Sequence, residues 1–190
     1  MSGDIHIGLD VTSDHMREFA DALRLMTDES VMAGFPADER PREDENGNAT
    51  PITNAALGYV HNTGMPELNI PARPFMVEGI ENVEDTIIDG MEATGLAALD
   101  GDAQGVESGL NAVGMTAKLG IQTKILDGPF EPLAESTLKA RARRGGSIGE
   151  AAQFELDSRA AGNDPNPENA RPLNETGQMR NAVNYVLRKE

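Results

Sequence analysis

The chain has 190 residues, of which 38% are hydrophobic, 25% charged and only 4% aromatic, enough for one domain whose core is thin in large side chains. Its 16 Lys and Arg stand against 32 Asp and Glu, and the resulting formal charge of -16 disfavours a grip on DNA, RNA or an anionic membrane. Cysteine is absent, which removes disulfides, thiolate metal sites and Cys nucleophiles together, and no apolar run approaches the ~20 residues of a membrane span.

The opening MSGDIHIGLD has no basic region followed by an apolar stretch, so the chain is expected to be made and first used in a cytoplasm. Ile5, Ile7, Leu9 and Val11 alternate with polar residues and predict a half-buried strand. Ser13 is a candidate N-cap for a short amphipathic helix over 14–26, with Met16, Phe19, Leu23 and Met26 at helical spacing. Residues 29–36 read as a second strand ending at Pro36. Residues 37–53 combine prolines, acids and Asn/Gly without apolar periodicity and predict a flexible loop. A short helix over 54–62 follows, with Gly64 where a C-terminal cap would fall.

Pro71 and Pro74 then fix an extended segment around Arg73. From Phe75 to about Leu99 the spacing predicts one long helix, with Met76, Ile80, Val83, Ile87 and Met91 as its apolar stripe. Glu78, Glu81, Asp85, Asp89 and Glu92 fall opposite, a carboxylate row about 21 Å long at the helical rise. Gly101-Asp102 marks a break before a second helix over 103–126, striped by Val106, Leu110, Val113, Ala117 and Ile121. The two form an αα-hairpin that buries one stripe against the other.

Gly128-Pro129 closes that helix, and a short helix within 132–144 ends in the basic cluster Lys139, Arg141, Arg143 and Arg144. Gly145-Gly146 breaks it, and 157–171 again has flexible-loop composition. A short helix capped near Thr176 leads into a terminal strand with Val183, Tyr185 and Leu187 on one face. The expected architecture is a single α+β domain over 1–190: a small antiparallel sheet packed against a long αα-hairpin and short helices, with extended mobile loops.

Chemistry-bearing patterns are sparse. His6, His15 and His61 lie apart, in no metal-ligand spacing, and read as surface or strand-edge residues. No nucleophile elbow, Walker loop or dinucleotide fingerprint occurs, so no catalytic residue, metal or cofactor is expected. The acidic row admits three readings: a divalent-cation surface, a solvated face, or the lining of a bore that must repel a passing polyanion. The basic cluster reads as a docking surface for an acidic neighbour, with a phosphate grip as the alternative. Charge is also polarised along the chain: residues 1–100 carry 20 acids and 5 bases, residues 101–190 carry 12 and 11.

Two segments carry a resemblance. The first is His61-Asn62-Thr63-Gly64 followed by Ile70-Pro71-Ala72-Arg73-Pro74-Phe75-Met76; the second is Pro172-Leu173 followed by Thr176-Gly177-Gln178-Met179-Arg180-Asn181-Ala182-Val183. Histidine, glycine, I-P-A-R-P-F, paired helices and P-L-x-x-T-G-x-(M/L)-R, in that order, resemble the tail-completion and neck proteins of tailed bacteriophages. The family usually has P-L-I-D-T-G where this chain has Pro172-Leu173-Asn174-Glu175-Thr176-Gly177.

The resemblance implies a non-enzymatic virion protein at the neck, made in the host cytoplasm. It would form a homo-oligomeric ring, six-fold as a first expectation and twelve-fold as a second, around a DNA path that it does not bind. On that reading Glu78, Glu81, Asp85, Asp89 and Glu92 are the candidate channel lining. Arg73, Phe75, Lys139, Arg141, Arg143 and Arg144 are the candidate contacts to adjacent neck, connector or tail proteins. A tail terminator or head-completion stopper at the same junction, a cytoplasmic acidic adaptor, and a metal-dependent enzyme using the acidic row are the alternatives.

Overall fold

The structure is a computed structural model that describes residues 15–36, 42–44 and 47–189. The strand expected over 5–11 and its neighbour Ser13 lie outside the described residues. Helix α1 (Met16–Asp28) runs directly into strand β1 (Glu29–Gly34). Helix α2 (Asn54–Thr63) is capped by the Thr53 hydroxyl, which accepts from the Ala56 amide, and ends at Gly64 with a positive φ of 78°. A side chain at Gly64 would lie 2.8 Å from the Ala72 amide nitrogen, so the turn into the proline segment needs glycine for space as well as conformation.

The expected long helix is two. Helix α3 (Phe75–Glu81) and helix α4 (Glu84–Leu99) are separated by a break at Asn82 and Val83, where Val83 leaves helical geometry at φ -121° and ψ 14°. The cause is visible in how α3 meets helix α5 (Ala103–Asp127). Gly79 and Gly120 face each other, and a Cβ on Gly79 would come within 2.7 Å of the Ile121 Cα. This backbone approach sets the line of α3, and a low-propensity Asn followed by a β-branched Val turns the chain before α4 resumes along α5. Apolar spacing carries through the break, so periodicity alone does not register it.

Helices α4 and α5 form the expected antiparallel hairpin across Gly101-Asp102, with Asp102 capping α5 through the Gly105 amide at 2.9 Å. Close packing rests on small residues: Gly109 lies under Thr94, and Gly90 faces Val113. Val106, Leu110, Val113, Ala117 and Ile121 are all buried, as the stripe requires. Of the other stripe, Met76, Val83, Ile87 and Met91 are half-buried, while Ile80 is exposed.

Strand β2 (Asn184–Lys189) pairs antiparallel with β1, Val31 opposite Leu187 and Ala33 opposite Tyr185. Alternation sends Met32 and Val186 outward and Val31 and Leu187 inward, onto a core of Ala22, Ala98, Val106 and Leu110. A second core joins Phe75, Ile121, Ile125, Phe130, Leu173, Met179 and Val183. The Tyr185 ring occupies the space a side chain at Gly114 would need, and its hydroxyl donates to Asn111 Oδ1 at 3.1 Å.

Helix α6 (Glu135–Arg144) is followed, after Gly145 in left-handed conformation, by helix α7 (Gly146–Ala160). Sequence patterning misses α7 because its buried positions are Gly149, Ala152 and Glu155, with no large apolar stripe, while Phe154 is exposed. The segment expected as flexible loop from 157 therefore begins inside a helix. Beyond it, Arg171 binds the Leu126 carbonyl and Asp127, and Asn166 and Asn169 bind Glu155. Helix α8 (Gln178–Ala182) starts one residue later than expected, with Gly177 at its N-cap in left-handed conformation. In the 37–53 segment, Asp44 and Asn48 close a turn, and Glu43 exchanges two 3.0 Å hydrogen bonds with the Gln178 side chain.

A candidate carboxylate-binding cleft

The two segments singled out by the sequence, about a hundred residues apart, meet in space. Phe75 from the first and Leu173, Met179 and Val183 from the second share one core. Above that core lies a cleft of about 270 Å³, walled by α2, the proline segment, the residues leading into α6, and the turn from Pro172 to Gly177.

Arg73 enters this cleft because its backbone is pinned at both ends. Its amide donates to the His61 carbonyl at 2.8 Å, and its carbonyl accepts from the Phe75 amide at 2.7 Å. The side chain is only 4% exposed. Its Nη2 donates to the Glu131 carbonyl at 3.3 Å, while Nε has no hydrogen-bond partner. No carboxylate lies within 4.0 Å of its guanidinium among the described residues. Burial lowers the Arg73 pKa, with the Glu131 charge opposing.

Arg141, equally buried, spends Nη1 and Nη2 on the carbonyls of Arg171 and Pro172, both at 2.9 Å. It thereby fastens α6 to the second motif. Its Nε makes no hydrogen bond and faces Glu175 at 3.8 Å, a carboxylate that also pairs with Arg144. Arg42 completes the basic lining and donates to Asn54 Oδ1 at 3.3 Å.

His61 is a correction to the surface assignment. It is half-buried on the cleft wall, and its Nδ1 is buried without a partner. Burial first, then the charges of Arg73, Arg141 and Arg42, lower its pKa from 6.5 to about 4, so the ring is neutral near pH 7. His15, in contrast, is exposed and pairs with Glu18, and His6 lies outside the described residues.

The other residues that the sequence nominates scatter. Phe75 is fully buried and fixes the start of α3, so it offers no surface to a partner. Its ring meets Phe35 edge to face, with centroids 6.4 Å apart. The basic cluster is not one patch: Arg141 points into the fold, Lys139 pairs with Glu135 one helical turn back, Arg144 with Glu175, and Arg143 is exposed. Alternation along a helix, rather than a continuous docking face, is the reason. Glu78 is tied to Lys124 at 2.7 Å and sits apart from Glu81, Asp85, Asp89 and Glu92, which are exposed. On α4, Ile88, Leu96 and Leu99 are exposed on the same face as Asp85, Asp89 and Glu92. Among the described residues, no three His, Asp or Glu side chains group as a metal site, and no helix is long and apolar enough to cross a membrane.

The lining sets Arg42, Arg73, Arg141 and His61 beside Glu131 and Glu175. The sequence places Arg73 in a rigid segment but does not join it to His61, Arg42 and Glu175. The available signal is that both motifs carry a polar residue flanked by prolines and glycines. Comparison with protein-family models, curated proteins and solved structures finds no match to this chain.

Proposed function

We propose that the chain is a non-enzymatic structural protein of a tailed-phage virion, a neck or tail-completion subunit that joins head and tail as a homo-oligomeric ring around the DNA path. The observation that supports this reading is the union of the two motif segments. Residues 61–76 and 172–183 resemble the neck family only when taken together, and they close one core and one cleft in the fold. Patterns far apart in sequence that form a single structural unit are what a shared fold requires.

The exposed side of α4 offers the ring role two alternatives, because its carboxylates and its apolar residues share one face. Asp85, Asp89 and Glu92 offer a carboxylate surface that repels DNA and lets it pass without arrest. Ile88, Leu96 and Leu99 offer the apolar area a subunit contact needs. The test is gold-labelled antibody on phage particles from the protein's source, imaged by electron microscopy. Label at the head–tail junction is the expected result. Particles without label, when the epitope is shown to be accessible, overturn the reading.

A further inference from the structure

A buried guanidinium without a counter-ion is costly, because desolvation is not offset by pairing. Arg73 comes close to this position: it is 4% exposed, its Nε lacks an acceptor, and Glu131, whose charge acts on it, forms no ion pair with it within 4.0 Å. Next to it, His61 Nδ1 is also buried and unpartnered. Both line a cleft with free volume. The missing group is therefore an anion from outside the described fold, and the cleft says which kind. Glu131 and Glu175 already line it, so a dianion meets more repulsion than a monoanion. The lining has no lysine, and its buried guanidinium donor with neither hydrogen bond nor ion pair is the single N–H of Arg73 Nε, which suits the two oxygens of a carboxylate better than the four of a phosphate. Leu57, Ile70, Leu173 and Met179 supply apolar wall beside these donors.

We propose that this cleft binds a carboxylate carried on an apolar stem, with Arg73 as its ion-pair partner and Arg42 and His61 at its sides. The stem belongs either to a free carboxylic acid or to an acidic side chain of another protein segment. The site stands whether or not the chain assembles into a ring.

The test reads the His61 imidazole of the full chain by NMR while sodium butyrate, sodium phosphate or the peptide acetyl-Leu-Glu-Leu-amide is added at pH 8, where phosphate is mainly the dianion. The charged groups around His61 are Arg73, Arg141 and Arg42, with Glu131 and Glu175 on the same cleft. A bound carboxylate sits beside the ring and counters the arginine charges, so butyrate is expected to shift the His61 imidazole resonances saturably at this pH, where butyrate is ionised and the ring is neutral. Tighter binding of the peptide than of butyrate assigns the source to a protein segment, and binding of butyrate alone assigns it to a free acid. Arg73→Gln is expected to abolish the shift with the circular dichroism unchanged. If that variant does not fold, Arg42→Gln at the mouth is expected to weaken butyrate several-fold. Three results overturn the proposal: no saturable response, phosphate acting as strongly as butyrate, or a His61 that titrates near 6.5 in the free protein because a carboxylate of the chain already fills the cleft.

Discussion

Glu155 is 1% exposed, yet it is a carboxylate, and the surrounding residues explain how it is kept. Arg159 Nε donates to it at 2.7 Å, the Asn166 amide at 2.9 Å and the Asn169 side chain at 2.7 Å. Burial pushes its pKa up, but these hydrogen bonds outweigh burial and hold it below the usual range. Glu155→Gln leaves Arg159 without its charge partner and is expected to cost about 3 kcal/mol in urea unfolding. A loss within the range of ordinary surface substitutions would show that the junction does not depend on the ion pair.

His61 gives a separate acid response. The unfolded chain takes up this proton as pH falls below 6.5, whereas the folded one resists until about 4. Between those values the unfolded state binds more protons, so stability declines as pH falls through that window, by up to about 3 kcal/mol. Glu155 contributes in the opposite sense of charge. Its folded pKa is depressed, so its stabilisation is full above the unfolded value and is lost as pH falls through the lower folded one. His61→Gln should flatten the stability profile between pH 6.5 and 4 and leave the loss at lower pH in place. An unchanged slope in that window would mean that His61 does not carry it.

At the level of elements, glycine placement decides which helices can touch. Gly120 could not carry a Cβ without bringing it to 2.3 Å from the Gly79 carbonyl oxygen, and Gly79 is as tightly held against Ile121. Alanine there gains about 1 kcal/mol of helix propensity but forces α3 off α5, for a net loss of about 2 kcal/mol in each case. Gly95, on the same hairpin, has only Met26 Cε at 3.8 Å, so Gly95→Ala should stabilise by up to about 1 kcal/mol. Thermal melts of the three variants test the pair of signs. A stabilised Gly120→Ala would mean the helices can separate freely. These contacts also show what the sequence conveyed and what it withheld. The stripes of α5, the terminal strand, the Gly64 cap and the Gly101-Asp102 break were legible because each is local chemistry with a fixed period or spacing. The α3–α4 break was not, because it is imposed by a partner forty residues away. Helix α7 was not, because glycine, alanine and one buried carboxylate make most of its inner face, with Leu156 alone as a large apolar residue packed on that core. The cleft was half legible: the prolines announced a rigid segment around Arg73, but only tertiary packing brings His61, Arg141 and Glu175 beside it.

On the scale of the whole molecule, the charge asymmetry and the exposed face of α4 make opposing demands. Residues 1–100 carry a net charge of -15, so two copies approaching through this half repel each other. Ile88, Leu96 and Leu99 on that same half lie open to water at 54%, 58% and 63% exposure. If these side chains form the subunit contact of the proposed ring, association must overcome the charge, and salt should help it. The screening length falls from about 10 Å at 0.1 M salt to about 3 Å at 1 M, which suppresses repulsion between surface carboxylates and leaves apolar burial intact. Light scattering is therefore expected to show larger species as salt rises. The Ile88→Ser, Leu96→Ser, Leu99→Ser triple variant should remain monomeric at every salt concentration with little change in melting temperature, because the three positions are already exposed in the single chain. Association that weakens with salt would point the other way, to pairing between the acidic half of one copy and a basic surface of the next. The apolar face of α4 would then have to be assigned to a different neighbour.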